Sequence, residues 1–195
     1  MLAIKGIKSG LDLKDLDSSS LMHASISDTQ NMTFMKGGIY EWGVPWMESG
    51  RIVIVKILKS LCKDEWILWC HGNEDSRLNH ESFLAHGINP DRFRIAYTQQ
   101  PMKDLKAAIV SPMFKFIVID SASDLNDISL AFLHHKAKEL KKTIFIVRPF
   151  FLSSKKGSIW SKMRFNIEQK TIHGELNIRS IKGHKNYSLR PYDVF

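Results

Sequence analysis

The chain has 195 residues, 44% hydrophobic and 25% charged, a length and composition that suit one globular domain with a sizeable core. No apolar run reaches the roughly 18 residues a membrane span needs, and two cysteines, Cys62 and Cys70, exclude a disulfide-dense scaffold and read as buried hydrophobes in a reducing compartment. Residues 1–133 carry 14 Lys/Arg against 16 Asp/Glu and residues 134–195 carry 14 against 4, so the net charge of +8 sits in the C-terminal part and points to a polyanion or an acidic protein as partner.

Met1–Lys8 lacks the apolar core and cleavage site of a signal peptide, so a cytoplasmic protein is expected. Residues 1–30 are weakly patterned and punctuated by Ser18, Ser19, Ser20, Ser25, Ser27 and Asp28, which predicts a mobile or peripheral N-terminal arm ahead of one domain over 31–195. Residues 38–43 predict the first core strand. Residues 50–61 predict a helix with Ile54, Ile57, Leu58 and Leu61 on its buried face. Apolar runs at 66–70, 93–97, 114–120 and 143–147 predict four more strands, with helices over 77–87, 102–110 and 125–141 between them. Strands alternating with helices imply a mostly parallel sheet flanked by helices. Three alternating segments, 161–168, 174–181 and 187–192, then predict an antiparallel C-terminal extension of that sheet.

Between Gly43 and Gly50 the chain has the layout of a phosphate-binding loop, a strand followed by a Gly-bounded turn and a helix N-terminus. Its chemistry departs from that of a working loop, G-x-x-x-x-G-K-[ST]. Six residues separate the two glycines, Arg51 stands where the lysine belongs, and Ile52 replaces the hydroxyl that holds Mg²⁺. Arginine still neutralises phosphate, but isoleucine cannot ligate a metal. The reading is a nucleotide-binding architecture without its hydrolytic parts. No metal site is expected, because His134 and His135 are adjacent and point apart on a helix, and His71, His80 and His86 show no ligand spacing. No nucleophile motif is present.

The order of parts resembles the ATPase core of the RecA recombinases. The residues that carry the resemblance are the strand near Glu41 with its Gly-Pro loop and helix, the segment from Gly87 to Gln99-Gln100-Pro101, the strand closing on Asp120-Ser121, and the C-terminal hairpin. The chain is too short for a full recombinase and is more similar to its reduced relatives, ImuA first and the division inhibitor SulA second. Gly37-Gly38, the altered loop Gly43–Arg51, Arg148-Pro149 and the basic strand pair 161–185 echo ImuA. The resemblance spans roughly residues 35–190. It implies a RecA-like fold and an accessory role in damage-induced (SOS), error-prone translesion DNA synthesis, alongside an ImuB-type polymerase. The alternatives are a SulA-type inhibitor that binds a tubulin-like GTPase and an unorthodox RecA-like ATPase.

By the same resemblance, Asp120 matches the acid ending the Walker B strand, where it would hold Mg²⁺ through water; otherwise it reads as a cap on the following helix or turn. Glu74 lies one residue from the position of the water-positioning glutamate and otherwise reads as a solvated loop acid. Arg51 is a candidate for a phosphate, an acidic partner or a structural ion pair. Trp42 and Trp46 flank the loop, and Trp46 is either a partner contact or a plug in the emptied pocket. In the recombinases the loops after the fourth and fifth strands contact single-stranded DNA. Lys155, Lys156 and Trp160 combine charge with stacking surface in the corresponding loop, and Lys182, Lys185 and Arg190 extend the basic surface. The partners expected are a translesion polymerase or other repair proteins, and single-stranded DNA; no cofactor and no membrane are expected. Self-association stays undecided, because residues 1–30 are too poorly patterned to show it.

Overall fold

The alternation of apolar side chains along four strands decides the architecture. In a computed structural model, residues 21–27, 30–45, 50–72, 80–169, 176–183 and 187–189 are described. Along the chain these form β1 (Leu21–Ser27), β2 (Gln30–Met35), β3 (Gly38–Gly43), α1 (Arg51–Leu61), β4 (Trp66–His71), α2 (His80–Ala85), β5 (Phe93–Tyr97), α3 (Pro101–Asp104), α4 (Lys106–Val110), β6 (Phe114–Asp120), α5 (Asp127–Glu139), β7 (Thr143–Arg148), β8 (Met163–Gln169), β9 (Leu176–Lys182) and β10 (Tyr187–Leu189). Eight strands make one sheet in the order β10-β9-β8-β3-β7-β6-β4-β5. From β8 to β5 every pairing is parallel.

Side chains alternate between the faces of a strand with a period of two. Tyr40, Trp42, Trp69, Phe116, Val118, Phe145 and Val147 thus share one face with α1 and with Met32 and Phe34 of β2. Ile39, Leu68, Cys70, Ile117, Ile119, Ile144 and Ile146 share the other with α4 and α5. Both faces are covered, as parallel sheets require. The α1 side is aromatic at its centre, where Trp42 stacks on Phe165 at 4.6 Å and Phe34 meets the edges of Tyr40 and Phe145.

The C-terminal strands extend the same sheet, with one correction to the expected geometry. β8 runs parallel to β3, and the antiparallel steps are β8 to β9 and β9 to β10. Residues 149–162 cross from the carboxyl end of β7 to the amino end of β8 and so allow the parallel start. Residues 21–27, assigned by sequence to a peripheral arm, are strand β1, paired antiparallel with β2; residues 1–20 lie outside the described residues. The helix predicted over 102–110 is two short pieces that meet at Leu105. Among the described residues no helix is long and apolar enough to cross a membrane.

Lys142, just before β7, is fully buried, and its ammonium donates to the carbonyls of Ile109 and Ser111 at the end of α4. Burial, then the nearby Lys115 charge, lowers its pKa to about 8. This lysine is a structural clamp between α4 and β7.

Candidate functional site

Parallel strands present their carboxyl ends to one edge of the sheet, and ligands of open α/β sheets bind there, where neighbouring strands lead in opposite directions. Here β4 leads outward to β5 while its neighbour β6 leads back to β7. The register sets His71, the last residue of β4, opposite Asp120, the last residue of β6.

Arg51, the first residue of α1, reaches across to this pair. It donates from Nε to Asp120 Oδ2 at 2.7 Å and from Nη2 to Oδ1 at 2.9 Å, a two-point fork. His71 Nδ1 lies 3.2 Å from Asp120 Oδ2, and Ser121 Oγ donates to Oδ1 at 2.8 Å. Asp120 is fully buried and the Arg51 side chain is 17% exposed. A fixed fork on a carboxylate is the strong form of this contact. Arg51 also sits at the positive end of the α1 dipole, which disfavours a cation, so α1 would be a poor host for it without Asp120. The glycine at the start of α1, Gly50, supplies no side-chain cap.

The backbone around the pair is drawn tight. Ser121 has φ +61, a left-handed conformation uncommon for a non-glycine residue. A Cβ at Gly72 would sit 2.4 Å from the Ser121 carbonyl oxygen, so only glycine lets β4 leave beside it. Gly72 N donates to Asp120 O at 2.7 Å.

Burial pushes the Asp120 carboxyl pKa up, but hydrogen bonds from His71 and Arg51, with the charge of Arg51, outweigh it and hold the value below the ordinary 3.8. A lowered folded-state pKa means the unfolded chain binds the proton more readily. The stabilisation from Asp120 is therefore complete above about pH 3.8 and is lost as pH falls through the lower folded value. Urea midpoints between pH 6 and pH 2 are expected to drop at the acid end, and Asp120→Asn is expected to flatten that drop. An equally steep acid limb in the variant would exclude Asp120 as its source.

A second buried acid organises the neighbouring loop. Glu41, fully buried in β3, accepts from Arg148 Nε at 2.9 Å, Ser158 N at 2.7 Å and Ser161 Oγ at 3.2 Å. Asn166 of β8 accepts from Leu152 N at 2.7 Å and donates to Leu152 O at 2.9 Å, pairing like a second backbone. Arg164 donates to the carbonyls of Ser153 and Ser154. These anchors fix residues 149–161 against the sheet. They also explain Gly43, where a Cβ would lie 2.3 Å from Asn166 Oδ1 and 2.8 Å from Phe150 O. Between this loop and the start of α5 lies a cleft of about 380 Å³, lined by Glu41, Asn126, Asp127, Arg148, Lys156 and Ser158 among others.

The structure thus brings together Gly50, Arg51 and Asp120 from the predicted set, and Gly43 lies at the end of the strand leading to them. Ile52 packs against the hydrophobic core and Trp42 is fully buried within it. Lys155 and Lys156 are exposed, with the Lys156 ammonium 3.8 Å from the centre of the Phe150 ring. Trp160 is half-buried beside His134, their rings 5.5 Å apart, and Lys182 donates to Ser161 O at 2.7 Å. Trp46, Glu74, Lys185 and Arg190 lie outside the described residues. Asp120 does not cap α5; that role belongs to Asn126, which accepts from Ser129 N. His71, Glu41 and Arg148 are functional candidates that pattern reading missed. Their signal was a polar residue ending or interrupting an otherwise apolar strand.

Both thiols are held neutral. Burial, then the Asp124 charge, pushes Cys70 up to about 12, and burial followed by Glu65 raises Cys62 as well. Among the described residues no three His, Cys, Asp or Glu side chains converge as a metal-binding set. No protein-family model matches the chain, and no curated protein matches it.

Proposed function

We propose that the chain is a RecA-like module that acts by binding and does not hydrolyse nucleotide, serving as an accessory to an ImuB-type polymerase in error-prone translesion DNA synthesis. The observation that carries the non-hydrolysing part is the Arg51–Asp120 fork at 2.7 and 2.9 Å. In a working loop of this layout the lysine faces phosphate and the strand-end acid faces Mg²⁺. Here the two corresponding side chains satisfy each other. The next residue, Ile52, is a hydrocarbon packed on the core.

The RecA-like part is supported by the placement of β3 and β6, the strands carrying the altered loop and the acid, one strand apart in a mostly parallel sheet, with antiparallel steps only at its C-terminal end. The segments after β6 and β7 face each other across the cleft, which supports a binding role for that edge, with single-stranded DNA as its candidate ligand. The polymerase partnership rests on the resemblance alone.

The test has two arms. Affinity purification of the tagged chain from DNA-damaged cells of its own host, followed by mass spectrometry, is expected to recover a Y-family-like polymerase. Recovery of a tubulin-like GTPase instead would move the function to division inhibition. Purified protein is expected to show no ATP turnover, and turnover abolished by Asp120→Ala would overturn the non-hydrolysing reading.

A further inference from the structure

The amino ends of the central strands carry a second surface that the loop chemistry does not use. Lys36 precedes β3, Lys138 lies near the end of α5, Lys162 precedes β8, and Lys182 ends β9, which runs antiparallel to β8 with Lys182 opposite Arg164. The backbone forces these positions together. A Cβ on Gly37 would sit 3.3 Å from Lys138 Cα, and one on Gly38 would meet Lys162 Cδ at 2.7 Å. Two adjacent glycines therefore let the stem of Lys162 and the last turns of α5 close over the start of β3. His134 lies on the same side, its ring against Trp160.

The charges of Lys138 and Lys162 are held near one another and are poorly compensated, while Lys182 faces the Arg164 and Glu41 charges. The ammonium groups of Lys36 and Lys138 have no partner among the described residues. Among the described residues Lys162 reaches the Lys36 carbonyl at 3.5 Å, and Lys182 bonds the Ile159 and Ser161 carbonyls just before β8. Burial, then the charge of Lys138, lowers the Lys162 pKa, and burial with Lys138 and Lys162 lowers that of His134. The acid at this end of α5, Glu139, is held by Lys136 at 2.7 Å.

The kind of partner follows from the residue types. Protein–protein interfaces are depleted in lysine and centre on aromatic or arginine anchors. This surface is built of lysines, and its aromatic residue, Trp160, is half-buried behind them. Lysine acts on phosphate as a point charge and needs no fixed fork. Phosphate contacts of this kind position nucleic acid without reading its sequence.

We propose that Lys36, Lys138, Lys162 and Lys182, at the amino edge of the sheet, form a sequence-independent binding surface for the phosphodiester backbone of nucleic acid. Lys36, Lys138 and Lys162 lie at the opposite end of the sheet from Arg51 and Asp120, and Lys182, level with Arg164 and Glu41, lies between them and the cleft. The surface stands on its own chemistry and does not need the RecA-like assignment.

Fluorescence anisotropy with labelled DNA of unrelated sequences, single-stranded and duplex, titrated against the full chain over a salt series, tests it. Wild-type protein is expected to bind unrelated sequences alike. Each phosphate neutralised contributes about 0.7–0.9 to the slope of log affinity against log salt, so Lys36→Gln/Lys138→Gln is expected to lower that slope by about 1.4–1.8 and affinity by about tenfold or more. Both residues are exposed, so this variant is expected to fold; Lys162→Gln adds a third, independent loss. Lys103→Gln, at an exposed position in α3, is expected to retain most of the binding. The proposal is overturned if wild-type protein binds no DNA at low salt, or if Lys36→Gln/Lys138→Gln binds DNA as tightly and with the same salt slope as wild type. It is also overturned if polyglutamate at equal charge displaces DNA as well as unlabelled DNA does, since the surface would then be one for acidic protein.

Discussion

Arg51→Met is expected to lower unfolding stability by about 3–5 kcal/mol, because it strands a buried carboxylate. Asp120 has no exposed surface and loses both points of the fork. His71 and Ser121 remain within reach but do not rebuild the two-point fork. For a domain of this size the change shifts the thermal midpoint by on the order of 10 °C. Urea unfolding at neutral pH measures it. The informative companion is Arg51→Met/Asp120→Leu, which removes both charges. Replacing a buried ion pair by apolar residues is often neutral or stabilising, so the double variant is expected to recover most of the loss. A single variant as stable as the parent would mean that Arg51 and Asp120 are not coupled in solution.

Glu41→Ala is expected to have an effect of similar size with a different footprint. Three donors converge on this fully buried carboxylate, and truncation leaves Arg148, Ser158 N and Ser161 Oγ without it. Breaking a buried charge pair from one side costs about 3–5 kcal/mol, and stranding a buried N–H adds to it. The loss should concentrate in residues 149–161. Hydrogen exchange is expected to show loss of amide protection at Ser158 and Ser161 beyond that in the rest of the sheet. Arg148→Ala is expected to cost about as much, because it strands the fully buried Glu41 carboxylate with two neutral donors. Uniform loss of protection across the domain would show that Glu41 supports the core generally and does not hold the loop.

The parallel strands were legible because burial on both faces writes a nearly continuous apolar run. Phe93–Tyr97 and Phe114–Asp120 are strands over the residues expected. Strand direction leaves no such mark. The alternation in 161–168 is the same for a parallel or an antiparallel neighbour, and the long crossover over 149–162 was the available hint that β8 runs with β3. β2 was hidden for a related reason, since its buried face shows, among its described side chains, in just Met32 and Phe34, either side of Thr33. The altered loop was legible through Arg51 and Ile52. What Arg51 touches was not, because Asp120 lies 69 residues away and the contact depends on strand order. His71 and Glu41 were passed over because a lone polar residue in an apolar strand has no periodic signature. Each acquires meaning only from a partner on another strand.

The position of β3 bears on how the chain folds. Its two neighbours in the sheet, β7 and β8, begin at Thr143 and Met163. No local pairing can seat this central strand, so its loop-closure entropy must be met before its contacts form. During synthesis Tyr40 and Trp42 leave the ribosome long before Phe145 and Phe165, the rings they pack against. The nascent chain therefore carries an unpaired, aromatic central strand until most of it has been made, a state prone to aggregation. Slow folding of the newly made chain is the expected consequence.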